Sequence, residues 1–106
     1  MFSIGMTYDL QPGCYAKYKQ YHDELWPEVA KSMDDNEVSM AIFVYGEQMF
    51  LHAVAPSEAH WKRSREVPIL KDWTALMGEV LVTDDDGNID FTELESAFAF
   101  GMFKNG

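Results

Sequence analysis

Val38-Ser39-Met40-Ala41-Ile42-Phe43-Val44-Tyr45, then Gly46-Glu47, then Gln48-Met49-Phe50-Leu51-His52-Ala53-Val54-Ala55 is the stretch on which the fold turns. Both arms are rich in β-branched and aromatic residues, the composition of strands. Gly46-Glu47 between them suits a two-residue turn with glycine first. In that register Val38, Met40, Ile42, Val44, Met49, Leu51 and Ala53 share one face. Ala41, Phe43, Tyr45, Phe50, His52 and Val54 share the other. Both faces are largely apolar, so each needs cover. The chain's own helices can cover one, and a second copy of the protein the other.

Upstream, Phe2, Ile4, Met6 and Tyr8 alternate along one face of a strand over residues 2–8. Gln11-Pro12-Gly13 is turn chemistry, and a helix follows to about Tyr21. Tyr15, Tyr18 and His22 lie on one side of it at spacings of three and four. Proline disfavours helix for the residue before it and suits the first position of a new one. A break is therefore expected near Asp23 to Trp26, with Pro27 opening a short helix that turns Val29, Ala30 and Met33 inward. Downstream, Ser57 is a credible N-cap of a helix carrying Trp61 and Arg65 on one side. Val67-Pro68 breaks it, and Ile69, Leu70, Trp73, Leu76, Met77 and Val80 recur at helical spacing to about Leu81. Asp84 to Asn88 reads as an exposed turn, and Glu95 to Phe103, with Phe98, Phe100 and Phe103, as a closing strand. The order is βαββαβ. It predicts an α+β, ferredoxin-like domain over residues 1–106, with a four-stranded antiparallel sheet and helices on one face.

The chain has 106 residues, enough for one modest core. Its formal net charge of −10 disfavours nucleic acid and anionic membranes as partners. No apolar run is long enough to cross a membrane, and the N-terminus lacks the pattern of a signal peptide. The single cysteine, Cys14, excludes an internal disulfide framework and fits a reducing, cytoplasmic compartment.

Chemistry has few candidate carriers. Tyr18 and His22, one helical turn apart at a corner of the chain, can act on one small molecule. With Trp26, Trp61 and Trp73 they could line a cleft between sheet and helices, where indole faces stack on a sugar ring and polar groups meet its hydroxyls. Asp84 to Glu93 invites a calcium-loop reading, but Val82 stands where the first carboxylate is needed, so a solvated acidic loop is preferred. His22, His52 and His60 have no metal-ligand spacing, and one cysteine cannot build a structural zinc site. No phosphate loop or nucleophile elbow is present.

Tyr18-(x)3-His22-(x)3-Trp26-Pro27-Glu28, followed by Met40-Ala41-Ile42-Phe43, Trp61, Trp73-(x)3-Met77 and the ending Glu93-Leu94-Glu95 to Phe98, resembles the L-rhamnose mutarotase family. The resemblance implies a cytoplasmic homodimer, a dimeric α+β barrel, that interconverts the anomers of a monosaccharide without cofactor or metal. It implies His22 as the proton donor, Tyr18 as a sugar contact and Trp73 as the second of two adjacent aromatic residues in the site. Asp72 stands at the first of these and is a candidate hydroxyl acceptor or base. Met40 stands where the family has tyrosine. Both departures fall among sugar contacts, so a related deoxy sugar is as much an expectation as L-rhamnose. Two other readings stay open: a monooxygenase-like or haem-handling barrel, and a sugar-binding module without catalysis.

Overall fold

The structure, a computed structural model, describes residues 1–104. Its strands are β1 (Phe2–Asp9), β2 (Ser39–Tyr45), β3 (Gln48–Ala55) and β4 (Phe91–Glu93). Its helices are α1 (Tyr15–Asp23), α2 (Pro27–Asp35), α3 (Glu58–Glu66) and α4 (Ile69–Met77). The strands form one antiparallel sheet in the order β2-β3-β1-β4, the ferredoxin-like arrangement.

The hairpin has the register read from its sequence. Met40 faces Ala53, Ile42 faces Leu51 and Val44 faces Met49. Gly46, at φ +64°, takes the left-handed turn position that a side chain would resist. The face with Met49, Ala53 and Ala55, joined by Tyr8 of β1, is buried beneath the helices. Val29 of α2, Trp61 of α3, and Leu70, Trp73 and Met77 of α4 supply the other half of the core.

The helix breaks follow from named residues. Trp26 is extended, with ψ 132°, immediately before Pro27 at the start of α2, as a residue preceding proline should be. Ser57 caps α3 by accepting the His60 backbone N–H at 3.3 Å. The His60 ring folds back onto that cap. Its Nδ1 lies 2.6 Å from the Ser57 hydroxyl, so it is half-buried in that cap. Helices α2 and α3 approach closely because serines stand at the crossing. The Ser32 hydroxyl donates to the Ser64 carbonyl at 2.6 Å, and Ser64 is fully buried.

Two expectations are corrected. Helical spacing to Leu81 suggests a longer α4, but the helix ends at Met77. Val80 and Leu81 are buried for a different reason: the chain turns back onto the end of β1. Leu81 bridges Leu10, and the Val82 N–H donates to the Asp9 carbonyl at 2.9 Å. The Gln11 side-chain amide donates to the carbonyls of Gly78 and Leu81, satisfying groups that the end of α4 leaves open.

The closing strand is Phe91–Glu93 rather than Glu95–Phe103. Its residues pair with β1 from Tyr8 to Met6, and the Leu94 N–H reaches the Gly5 carbonyl at 2.8 Å. Beyond Leu94 the chain leaves the sheet edge and lies over the open face. There Phe103 meets His52 with ring centres 5.0 Å apart, and Phe98 stacks on Phe100 at 6.5 Å. Gly101, at φ +64°, starts a 3-10 turn over Gly101–Phe103. The aromatic residues that read as a strand instead dress a surface. The acidic loop is a tight turn between Thr83 and Ile89, in which the Asp84 carboxylate accepts the N–H groups of Asp86 and Asn88.

Candidate active site

A cleft opens between the helices and the buried face of the sheet. It has two lobes, of about 360 and 460 Å³, a size typical of small-molecule sites. Six residues line both lobes: Tyr18 and His22 from α1, Met40 and Ile42 from β2, Arg65 from α3 and Trp73 from α4. The smaller lobe adds Tyr15, Val29 and Met33, and the larger adds Trp61, Thr74 and Glu93.

Helical spacing explains the first pair. Residues one turn apart on α1 stack, and the rings of Tyr18 and His22 have centroids 4.3 Å apart. Near the end of α1, His22 has turned its Nδ1 back on the helix, 3.0 Å from the Tyr18 carbonyl oxygen. A carbonyl only accepts, so Nδ1 carries the hydrogen of that bond. Nε2 is then the lone-pair nitrogen of the neutral ring. Burial lowers the His22 pKa, an effect opposed by the Tyr18 carbonyl and by Asp23. The neutral imidazole is the resting form near neutral pH.

Tyr18 is held from the other side. Its hydroxyl lies 2.7 Å from that of Tyr8, which comes up from β1, and both side chains are buried. Burial raises both phenol pKa values, Tyr18 the more strongly because Tyr8 adds to the effect. Both phenols stay protonated. One hydroxyl donates to the other, which leaves a second O–H free to point elsewhere.

Trp73 closes the site. Its ring meets His22 edge-on at 5.3 Å and Trp26 edge-on at 5.2 Å, so Trp26 buttresses the indole. Of the five residues expected on one cleft, Tyr18, His22, Trp61 and Trp73 line it; Trp26 lines neither lobe and stands behind Trp73 instead. Asp72 is elsewhere: it is exposed on α4 and lines neither lobe. The neighbour of Trp73 that does line the larger lobe is Thr74. Three further residues line the larger lobe without having been singled out as site candidates by the sequence: Tyr8, Glu93 and Arg65. The Arg65 guanidinium lies over the Trp61 ring at 4.9 Å, and burial lowers its pKa.

The family model described as L-rhamnose mutarotase matches residues 3–100. The chain belongs to the L-rhamnose mutarotase family. An L-rhamnose mutarotase of Tolumonas auensis is 32% identical over 92 residues, spanning 84% of this chain and 88% of that protein. One from Mannheimia succiniciproducens is 27% identical over 101 residues, spanning 92% and 97%. In three dimensions the fold matches a crystal structure of an L-rhamnose mutarotase from Formosa agariphila, with a TM-score of 0.79 at 24% identity, over 95% of this chain and all of that one. Family membership and fold both reach across the elements that build the cleft.

Proposed function

We propose that this chain is a carbohydrate isomerase that interconverts the α and β anomers of a monosaccharide, with L-rhamnose and its relatives as the sugars to try first. One observation carries the assignment of roles. His22 stands on a cleft of sugar-site size with Nδ1 tied to the Tyr18 carbonyl, so Nε2 is left for proton exchange.

Mutarotation moves one proton between two oxygens on the same carbon. Neutral His22 accepts the anomeric hydroxyl proton at Nε2. The bond from C1 to the ring oxygen breaks, its electron pair stays on that oxygen, and the C1 oxygen becomes the carbonyl. The imidazolium then donates its proton to the ring oxygen. The open-chain aldehyde rotates about the C1–C2 bond, and the same steps in reverse close the ring on either face. Atoms and charge balance at every step, and no cofactor is consumed. A positioned acid–base group contributes about 10²–10⁴-fold, which suits a reaction that already proceeds in water. The Tyr18 phenol, held protonated, donates to a sugar oxygen, and Trp73 and Trp61 supply apolar walls for the ring's C–H face.

Saturation-transfer NMR on L-rhamnose, L-fucose and D-galactose tests this reading. Anomer exchange should rise in proportion to protein added for at least one sugar. Binding without faster exchange would make the protein a sugar-binding module and refute the enzymatic reading.

The partner we propose is a second copy, seated on the open face of the sheet. Phe43 is 64% exposed there, Tyr45 82% and Phe98 83%, a large apolar area for a soluble monomer to leave in water. Sedimentation velocity should show a dimer that Phe43→Asp dissociates. A wild-type monomer at micromolar concentration would refute it.

A further inference from the structure

Arg65 is the anomaly of the cleft. Its Nε is buried and has no hydrogen-bond partner. Among the described residues no carboxylate comes within the 4.0 Å of an ion pair. The three ion pairs found are exposed Lys–Asp or Lys–Glu pairs spaced four apart on a helix. Glu93 lines the larger lobe with Arg65 but does not pair with it, and Lys19, which lines the smaller lobe, is paired with Asp23. The chain carries 18 acidic residues against 8 lysines and arginines, so carboxylates are not scarce. A desolvated cation without a counter-ion is costly. The Trp61 ring at 4.9 Å offsets only part of that cost, because an aromatic face is a weak substitute for an anion.

Position adds to charge. Arg65 lines both lobes together with His22 and Trp73, so it faces whatever His22 faces. The Arg65 guanidinium rests over the Trp61 ring, and its planar fork matches the two oxygens of a carboxylate. In a six-carbon pyranose C5 is bonded to the ring oxygen, so its substituent lies two bonds from the atom that His22 protonates. A group at C5 can therefore sit on Arg65 while the anomeric centre sits on His22.

We infer that the preferred substrate is a hexuronic acid, bearing a carboxylate on C5 where L-rhamnose bears a methyl group, and that Arg65 is the residue that selects it. This rests on the mutarotase reading and replaces only the substituent. The carboxylate takes no part in ring opening, so the proton transfers at C1 and the ring oxygen are unchanged.

The test compares anomer exchange of D-galacturonate and D-glucuronate with that of L-rhamnose and L-fucose, in wild type, Arg65→Gln and Arg65→Lys. A charge-assisted bidentate contact predicts that kcat/KM for the better uronate exceeds that for the better neutral sugar by roughly 10- to 100-fold. Arg65→Gln should collapse that ratio towards one. Arg65→Lys, which keeps the charge and loses the fork, should fall between. A ratio is unaffected by partial unfolding of a variant, since both sugars see the same active fraction. The uronate preference should also weaken as salt is raised, while neutral-sugar exchange stays flat. Faster exchange of the neutral sugars than of either uronate would overturn the inference and leave the mutarotase reading standing. A uronate preference that survives Arg65→Gln would overturn the role of Arg65. No acceleration of any sugar would overturn the mutarotase reading and the inference with it.

Discussion

Replacing Tyr8 by Phe deletes one hydroxyl from a buried pair whose oxygens are 2.7 Å apart. Tyr8 is 7% exposed and Tyr18 4%, so neither ring has much access to bulk water. A neutral buried hydrogen bond contributes about 1 kcal/mol net, whereas a buried hydroxyl stripped of its partner costs about 1–3 kcal/mol. Tyr18 borders the cleft, from which water can approach, so the lower part of that range applies. Tyr8→Phe should therefore destabilise by about 1–2 kcal/mol, or ~4–8 °C in Tm for a domain of this size. Tyr18→Phe should cost a similar amount, because it strands Tyr8 instead. The double variant removes both polar groups and should cost no more than either single change, giving a coupling energy of at least about 1 kcal/mol. Urea denaturation of the four proteins measures that cycle. Additive losses would show that the two hydroxyls do not share a bond, and the account of how Tyr18 is held would fail.

Two other predictions follow from packing and protonation. Leu81→Ala, at a 3% exposed site bridged to Leu10, should cost about 2–5 kcal/mol in the same denaturation assay, and a loss under 1 kcal/mol would contradict its place in the core. The pH profile of anomer exchange should show a plateau at neutral pH and fall as His22 is protonated. Burial lowers that pKa, so the acid limb should lie below the ordinary imidazole value of about 6.5, and a limb above it would contradict the environment described for the ring.

Much of this architecture can be read from local signals. The hairpin register follows from period-two alternation around a two-residue glycine turn, and both are written within 18 consecutive residues. The corner between α1 and α2 is set by Pro27, whose effect on Trp26 is steric and short in range. Tyr18 and His22 are likewise neighbours by helical geometry alone. The remainder depends on contacts distant in sequence. Tyr8 reaches Tyr18 only because β1 lies beneath α1, and Arg65 shares a cleft with His22 only because α3 and α1 both border it. Asp72 and Thr74 both adjoin Trp73, and which flank faces the cleft is set by how α4 rolls against the sheet. Phe98, Phe100 and Phe103 have strand-like composition and yet lie outside the sheet. The edge of β1 instead selects Phe91–Glu93.

Anomer exchange in a folded His22→Ala protein, read by saturation transfer on the sugar that wild type exchanges fastest, bears most directly on the role of the imidazole. Removing the one group that both accepts and returns the proton should slow exchange by roughly 10²–10⁴-fold while circular dichroism and the melting transition stay close to wild type. Exchange at the wild-type rate would show that another group moves the proton.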